Sequence, residues 1–405
     1  MKRYTLGVVF SLMMTTLLLS MVTVKTGLAL EIIKGPYLQD ITQTEITIMW
    51  ETSEPASAGV QYGNQEDLLD QTKIDENQTK IHEVKIQGLM PETYYSYRVI
   101  SETEAGEKAE SEIYTFRTAP YRTTPFRFAV WGDNRTDYIT CDKVTQLIAS
   151  QNPDIVINVG DVVTTGGVYA QWGTEYFIPI RHFAGSVPSY VAIGNHEQQA
   201  HWFDDLVSQP GNEHWFAFSY GNSRFIILDT NRSYSPGSEQ YNWLVEELGS
   251  DDFGSSEFRF AFFHHPPYSE QWDSPGYIGE ASVRAFLVPL LEEYGVDIVF
   301  AGHTHDYERG KRVLENGHEI YYVITGGGGA ALDRVETRDW DVIQVHESAY
   351  HCVVVDIKGA VLDFESIGLD GGVIDSFRKV SPRGATVTVN PAGKFTATWA
   401  SIKAR

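Results

Sequence analysis

Five separate apolar runs in this chain each end, after at most one glycine, in side chains that bind hard or borderline metals: Gly132-Asp133, Gly160-Asp161, Gly194-Asn195-His196, His264-His265-Pro266 and Gly302-His303-Thr304-His305. The runs themselves, Phe126 to Trp131, Ile155 to Val159, Tyr190 to Ile193, Phe258 to Phe263 and Ile298 to Ala301, read as strands buried on both faces. Buried strands of an α/β fold present their carboxyl ends to a shared crevice. The pattern therefore predicts oxygen and imidazole donors converging at one edge.

Two metal ions a few ångströms apart need a shared ligand, and a carboxylate on a rigid strand end supplies one; Asp161 is the candidate bridge. His303 and His305 lie two apart, so on an extended segment both rings point to one side and each can serve one metal. Each residue alone has an ordinary explanation. Asp133 and Asp161 can cap helices, Asn195 can hold a left-handed turn, and His264 or His265 can be a hydrogen-bonded core imidazole. The inference rests on their joint occurrence, in this order, each behind its own apolar strand.

At 405 residues the chain exceeds the usual size of a single core, which predicts two domains. Residues 31–119 carry short alternating strands, Glu45 to Glu51 and Gly59 to Tyr62 among them, separated by turn-formers, the cadence of a small all-β sandwich, with Trp50 as its core aromatic. After a linker at Ala119-Pro120-Tyr121-Arg122-Thr123-Thr124-Pro125, strands alternate with helical periods at Asp142 to Gln151, Glu239 to Leu248 and Ala281 to Tyr294. That indicates an α/β domain over 125–380. A hairpin extension is expected over 381–405, around Asn390-Pro391-Ala392-Gly393. Lys2 and Arg3, the apolar stretch from Leu6 to Val22 and the small-residue exit at Gly27-Leu28-Ala29 read as a signal peptide over 1–29, hence a secreted or extracytoplasmic protein. The alternative is an uncleaved membrane anchor.

A net charge of −23 argues against nucleic-acid binding, which relies on clustered Lys and Arg. Cys141 and Cys352 are the only cysteines, too few for a disulfide framework; one bridge or two buried thiols both fit.

The five junctions, extended to Gly194-Asn195-His196-Glu197, Phe262-Phe263-His264-His265-Pro266-Pro267-Tyr268 and Gly302-His303-Thr304-His305-Asp306-Tyr307-Glu308-Arg309, resemble the motif series of the metallophosphoesterases, in particular the purple acid phosphatases. Leu89-Met90-Pro91-Glu92-Thr93-Tyr94-Tyr95-Ser96-Tyr97 resembles the fibronectin type III signature, with Tyr95 as a candidate tyrosine corner. The resemblance implies two mixed β-sheets flanked by helices, a four-layer sandwich preceded by the small β-sandwich. It also implies two divalent or mixed-valence ions of iron, zinc or manganese: Asp133, Asp161 and His305 on the first, and Asp161, Asn195, His264 and His303 on the second. His196 matches the position that assists protonation of the leaving group.

The chain departs from the pattern twice. Thr164 stands where purple acid phosphatases have a tyrosine, and Arg135 where other metallophosphoesterases have a histidine. The first metal thus lacks a ligand, to be supplied by water or by a side chain such as Tyr169, and no purple tint is expected. Arg135 is then free to clasp a substrate phosphate with its fork of donors, the alternative being a structural salt bridge. The expected activity is hydrolysis of a small phosphoester, most simply a monoester, by metal-activated hydroxide with His196 as general acid. The rival readings are a phosphodiesterase acting on nucleotides or phospholipid head groups, and an exported binding protein with weakened catalysis. Trp172, Trp202, Trp215, Trp272 and Tyr277 are candidates to line the mouth of the site.

Overall fold

The computed structural model describes residues 29–64, 69–270, 272–273, 276–334 and 340–383. The expected signal peptide, save for Ala29, and nearly all of the expected C-terminal hairpin lie outside these residues.

The N-terminal part is all β. It comprises β1 (Ile32–Gln39), β2 (Glu45–Gly63), β3 (Gln71–Gln87), β4 (Tyr94–Glu102), β5 (Lys108–Glu110) and β6 (Tyr114–Arg117). The order is β1-β2-β4-β5, with β3 on β2 and β6 on β4. Two strands expected at Glu45 to Glu51 and Gly59 to Tyr62 are a single strand of 19 residues. The register with β3 shifts between Glu51 and Ala58, and a bulged strand can bend there without ending. Trp50 is fully buried, its indole nitrogen donating to Ser101. The Tyr95 hydroxyl accepts from the backbone of Met90, the upstream contact expected of a tyrosine corner.

The remainder builds two mixed sheets. Its strands are β7 (Phe126–Trp131), β8 (Ile155–Asn158), β9 (Ser189–Val191), β10 (Phe216–Tyr220), β11 (Ser223–Ile227), β12 (Phe258–Phe262) and β13 (Ile298–Ala301). They continue with β14 (Tyr307–Val313), β15 (Glu319–Thr325), β16 (Ile343–Glu347), β17 (His351–Lys358), β18 (Val361–Gly368) and β19 (Val373–Val380). One sheet runs β19-β18-β17-β7-β8-β9, the other β10-β11-β12-β13-β15-β14-β16. Their inner faces meet through aromatic rings: Phe128 from the first sheet lies 5.0 Å from Phe260 and 5.2 Å from Phe225 of the second, and Phe364 of the first stacks on Phe300 of the second at 6.4 Å. Such rings bury large apolar areas in edge or offset contacts. Helices such as Tyr138–Ser150 and Glu239–Leu248 flank the sheets, and the expected helix from Ala281 to Tyr294 is two, Ala281–Phe286 and Val288–Glu293, separated at Leu287 ahead of Pro289.

The β-domain is seated against the α/β part by polar and apolar contacts together. Leu38 donates its backbone N–H to Ala184, the Tyr97 hydroxyl donates to the Gly185 carbonyl, and Tyr37 donates to Leu206. Cys141 and Cys352 are both free thiols buried in the core.

Candidate metal centre

Parallel neighbours end side by side, and this places the donors. In the first sheet β7, β8 and β9 run parallel and lead to Asp133, Asp161 and Asn195. In the second, β12 and β13 run parallel and lead to His264 and His303. The two edges are joined across the sheets: the His264 Nδ1–H donates to the Val159 carbonyl at 2.9 Å, and the His303 backbone N–H donates to the Asp133 carboxylate at 3.0 Å.

Neither aspartate caps a helix. The helix at Tyr138–Ser150 is capped by Asp137, so the ordinary reading of Asp133 is excluded. Asp133, Asp161 and His303 all take left-handed backbone conformations, at φ of 55°, 56° and 75°. Such conformations in residues with side chains cluster where the surroundings over-determine them. Gly326 to Gly329 supply part of that constraint. A Cβ on Gly326 would stand 1.9 Å from the Thr304 carbonyl oxygen, and one on Gly328 2.2 Å from that of Gly132. Only glycine permits this run to lie against both donor loops.

Ring nitrogens and carboxylate oxygens of Asp133, Asp161 and His264 lie within 4.8 Å of one another, as do the ring nitrogens of His264, His265 and His303. His264 Nε2 is 3.1 Å from Asn195 Oδ1, 3.3 Å from Asp161 Oδ1 and 3.3 Å from His303 Nδ1. With His264 Nδ1 committed to a carbonyl, its Nε2 faces three other lone-pair donors. That convergence is stable only around a cation or a shared proton. Without a metal the proton serves: burial opposes charge on His264, but Asp161 outweighs it and pushes the imidazole up to about 9. Burial, then His264 and His265, push His303 down to about 2. The chemistry of the donor set thus fits a transition-metal ion held by Asp161, Asn195, His264 and His303.

The other donors are arranged differently. Asp161 Oδ2 accepts from Arg135 Nε at 3.2 Å, and Arg135 Nη2 lies 3.2 Å from His305 Nε2. His305 Nε2 is 3.7 Å from Asp133 Oδ1, while its Nδ1 donates to the Ala331 carbonyl. His303 and His305 do share the site, though not for the reason of extended spacing. Residues 303–306 form a bend, which turns His303 to His264 and His305 to Asp133. The hydroxyl and backbone N–H of Thr164 both go to Glu175. The Tyr169 hydroxyl is held by Glu51 and Lys34 of the β-domain, so Tyr169 is not the missing ligand. Its ring is occupied as well, packed by Trp202 at 4.8 Å.

His196 sits beside the carboxylate bridge. Its backbone N–H donates to Asp161 Oδ1 at 2.9 Å, its ring Nδ1–H donates to the Thr164 carbonyl at 2.7 Å, and its Nε2 stands 3.9 Å from Asp161 Oδ2. Of the aromatic residues considered for the mouth, Trp272 stacks on His303 at 5.2 Å and Tyr277 meets the same ring at 5.1 Å. Trp172 is fully buried, and Trp202 and Trp215 pack against core clusters.

Sequence reading gave no role to Glu197, a fully buried carboxylate. Its Oε2 accepts from the backbones of Gly194 and Asp161 at 2.6 and 3.0 Å, and its Oε1 from Val162 and Val163 at 2.8 and 3.3 Å. It ties the Asp161 loop to the Asn195 loop. The signal was its place next to Asn195-His196, but a capping role needs the return of a loop 36 residues away. Asp333, which accepts the His305 backbone N–H at 2.8 Å, was missed for the same reason.

Both parts of the chain are similar to known proteins. The profile of the calcineurin-like phosphoesterases matches residues 126–307, and that of the purple acid phosphatase N-terminal domain matches 36–118. Purple acid phosphatase 15 of Arabidopsis thaliana is 31% identical over 302 residues, which cover 64% of this chain and 56% of the relative. The probable inactive purple acid phosphatase 27 of the same plant is 26% identical over 352 residues, covering 73% and 57%. The chain thus spans a little over half the length of these relatives. In fold it is similar to the purple acid phosphatase PPD1 from yellow lupin (Lupinus luteus) seeds, with a TM-score of 0.76 at 22% identity over 86% of this chain and 74% of that one. It is also similar to PhoD, with a TM-score of 0.65 at 12% identity over 91% and 92%. The chain carries a calcineurin-like phosphoesterase domain over 126–307 and, ahead of it, a purple acid phosphatase N-terminal domain over 36–118.

Proposed function

We propose that the protein is an exported, metal-dependent hydrolase of small phosphoesters, with a fibronectin type III-like domain over 31–119 and a catalytic domain over 125–380. The carrying observation is the convergence of Asn195, Asp161 and His303 on His264 Nε2, all within 3.3 Å. Export rests on the N-terminal sequence; among the described residues no helix is long and apolar enough to cross a membrane.

A metal at one set would be held by Asp161, Asn195, His264 and His303, and at the other by Asp133, Asp161 and His305 alone. A bound divalent ion supplies Lewis-acid polarisation of a phosphoryl oxygen and lowers the pKa of water. The chain's own groups do the rest. His196, its Nδ1–H fixed on Thr164, directs Nε2 to the site and in its protonated form donates to the departing alkoxide, a contribution typically worth about 10²- to 10⁴-fold. Trp272 and Tyr277 wall the site at His303, excluding water and offering a flat surface to a leaving group.

The test is turnover of p-nitrophenyl phosphate and of its bis-ester by the full chain. We expect hydrolysis abolished by chelator and by Asn195→Ala or His303→Ala, with the monoester preferred. In His196→Ala, kcat should fall about 10²- to 10⁴-fold with KM little changed. Chelator-resistant turnover would refute the reading. Thr164, which cannot act as a ligand while bound to Glu175, favours one second reading, an exported phosphoester-binding protein; tight binding without turnover would select it.

A further inference from the structure

The two donor sets differ in what already balances their charge. Around His264 Nε2, Asn195 Oδ1, Asp161 Oδ1 and His303 Nδ1 face one another, all of them lone-pair donors. Around Asp133, Asp161 and His305 a guanidinium is already in place. Arg135 donates to Asp161 Oδ2 through Nε and reaches His305 Nε2 through Nη2, both at 3.2 Å, so its fork spans two of the three donors. The tautomer of His305 suits this contact: with Nδ1–H on the Ala331 carbonyl, Nε2 carries the lone pair that meets Arg135. The Arg135 side chain is only 16% exposed, held within the site rather than at a solvated rim. Neither Thr164 nor Tyr169 offers its hydroxyl to complete a metal's coordination there, because Thr164 is committed to Glu175 and Tyr169 to Glu51 and Lys34.

We propose that Arg135, in place of a second metal ion, is the resident cation of the Asp133–Asp161–His305 set, and that the chain holds one tightly bound transition-metal ion, at Asp161, Asn195, His264 and His303. The inference rests on the reading of those four residues as a metal site. Guanidinium is charged at every relevant pH and matches carboxylate and imidazole lone pairs in a planar fork. It therefore places a permanent positive charge beside Asp161, without needing a fourth or fifth ligand. Asp161 keeps its bridging position, with Oδ1 toward His264 and Oδ2 toward Arg135. This revises the expectation that Arg135 is a free clasp for substrate phosphate, since its Nε and Nη2 already have partners in the protein.

The experiment is metal stoichiometry. The full chain is stripped with chelator, reloaded with Zn²⁺ or Mn²⁺, desalted and submitted to elemental analysis, with electron paramagnetic resonance on the Mn²⁺ form. Wild type should retain one equivalent and give the six-line signal of an isolated Mn²⁺. Arg135→Ala should take up a second equivalent and give a spin-coupled signal, and Arg135→Lys, which keeps a positive charge, should stay at one. Two tight equivalents in wild type would overturn the proposal. So would an Arg135→Ala protein that still stops at one, because the set would then be short of donors rather than already charged. If Arg135→Ala does not fold, the wild-type stoichiometry and the Mn²⁺ signal decide. Wild type that retains no metal would overturn the metal-centre reading itself, a result distinct from either of the others.

Discussion

Glu197 offers the sharpest test of how the donor loops are held. Its two carboxylate oxygens accept four backbone N–H groups, two from Gly194 and Asp161 and two from Val162 and Val163. Glu197→Gln keeps the size and shape but leaves one acceptor oxygen; the new amide N–H₂ faces two N–H donors it cannot satisfy. A hydrogen bond to a charged acceptor is worth about 1.5–3 kcal/mol, and a buried donor left unsatisfied costs a similar amount. Losing two such bonds predicts a destabilisation of roughly 4 kcal/mol. That is a large share of a typical 5–15 kcal/mol, yet the variant should still fold, with Tm lowered by about 10 °C. Because the freed loops carry Asp161 and Asn195, metal affinity should also fall, by the 10- to 100-fold typical of losing a group that orients ligands. Thermal melts of chelated and metal-loaded protein, with calorimetric metal titration, measure both. A Tm within about 2 °C of wild type, or an unchanged metal affinity, would refute the assignment of Glu197 as the residue that positions these loops.

Gly328→Ala should abolish metal binding or folding, because its Cβ would meet the Gly132 carbonyl oxygen at 2.2 Å; a metal-replete, normally melting variant would contradict this close approach. His351 is fully buried, and burial pushes its imidazole down to about 4. A depressed histidine is neutral in the folded protein, so its contribution is complete above the unfolded value near 6.5 and is lost as pH falls from there towards about 4. The loss is on the order of 3 kcal/mol. Denaturant midpoints at neutral pH and near pH 4 should show it, and His351→Phe should lessen it; an equal loss in the variant would exclude His351 as the source. Iron-loaded protein should show no tyrosinate absorption band in the visible, since Thr164 replaces the expected tyrosine and Tyr169 is held by Lys34 and Glu51. Such a band would mean that another tyrosine reaches the metal.

Much of the α/β part is legible in the sequence because its central strands are buried on both faces. Phe126–Trp131 and Ile298–Ala301 read as uninterrupted apolar runs and were bounded correctly. The donors were legible for the same reason, each lying just beyond such a run. The β-domain was harder. Glu45–Gly63 contains a stretch from Glu51 to Ala58 with Pro55 and small residues, which reads as a turn and is instead an irregular stretch inside one strand. What no spacing could show is contact between distant loops. Arg135 meets His305 across 170 residues, and Tyr169 meets Glu51 across 118. Each side chain has a sensible exposed alternative, so the choice between substrate clasp and internal cation is made only by the tertiary fold.

The donor loops do more than hold a cation, since they also join the two sheets to each other. His264 is anchored on Val159 and His303 on Asp133, each contact running from the second sheet's loops to the first's. Asp133, Asp161 and His303 have positive φ, and conformations of that kind cost on the order of 1 kcal/mol or more each. The strain is tolerated because Glu197, the glycine run and these crossed contacts fix the same few residues from several sides. A ligand that binds only the assembled arrangement adds its binding free energy to the stability of the fold. Metal at His264 and His303 should therefore tighten the packing of one sheet on the other. The phenylalanine core between the sheets and the polar cluster at their edge are thus two parts of one interface, the first setting the distance between the strand ends and the second using it.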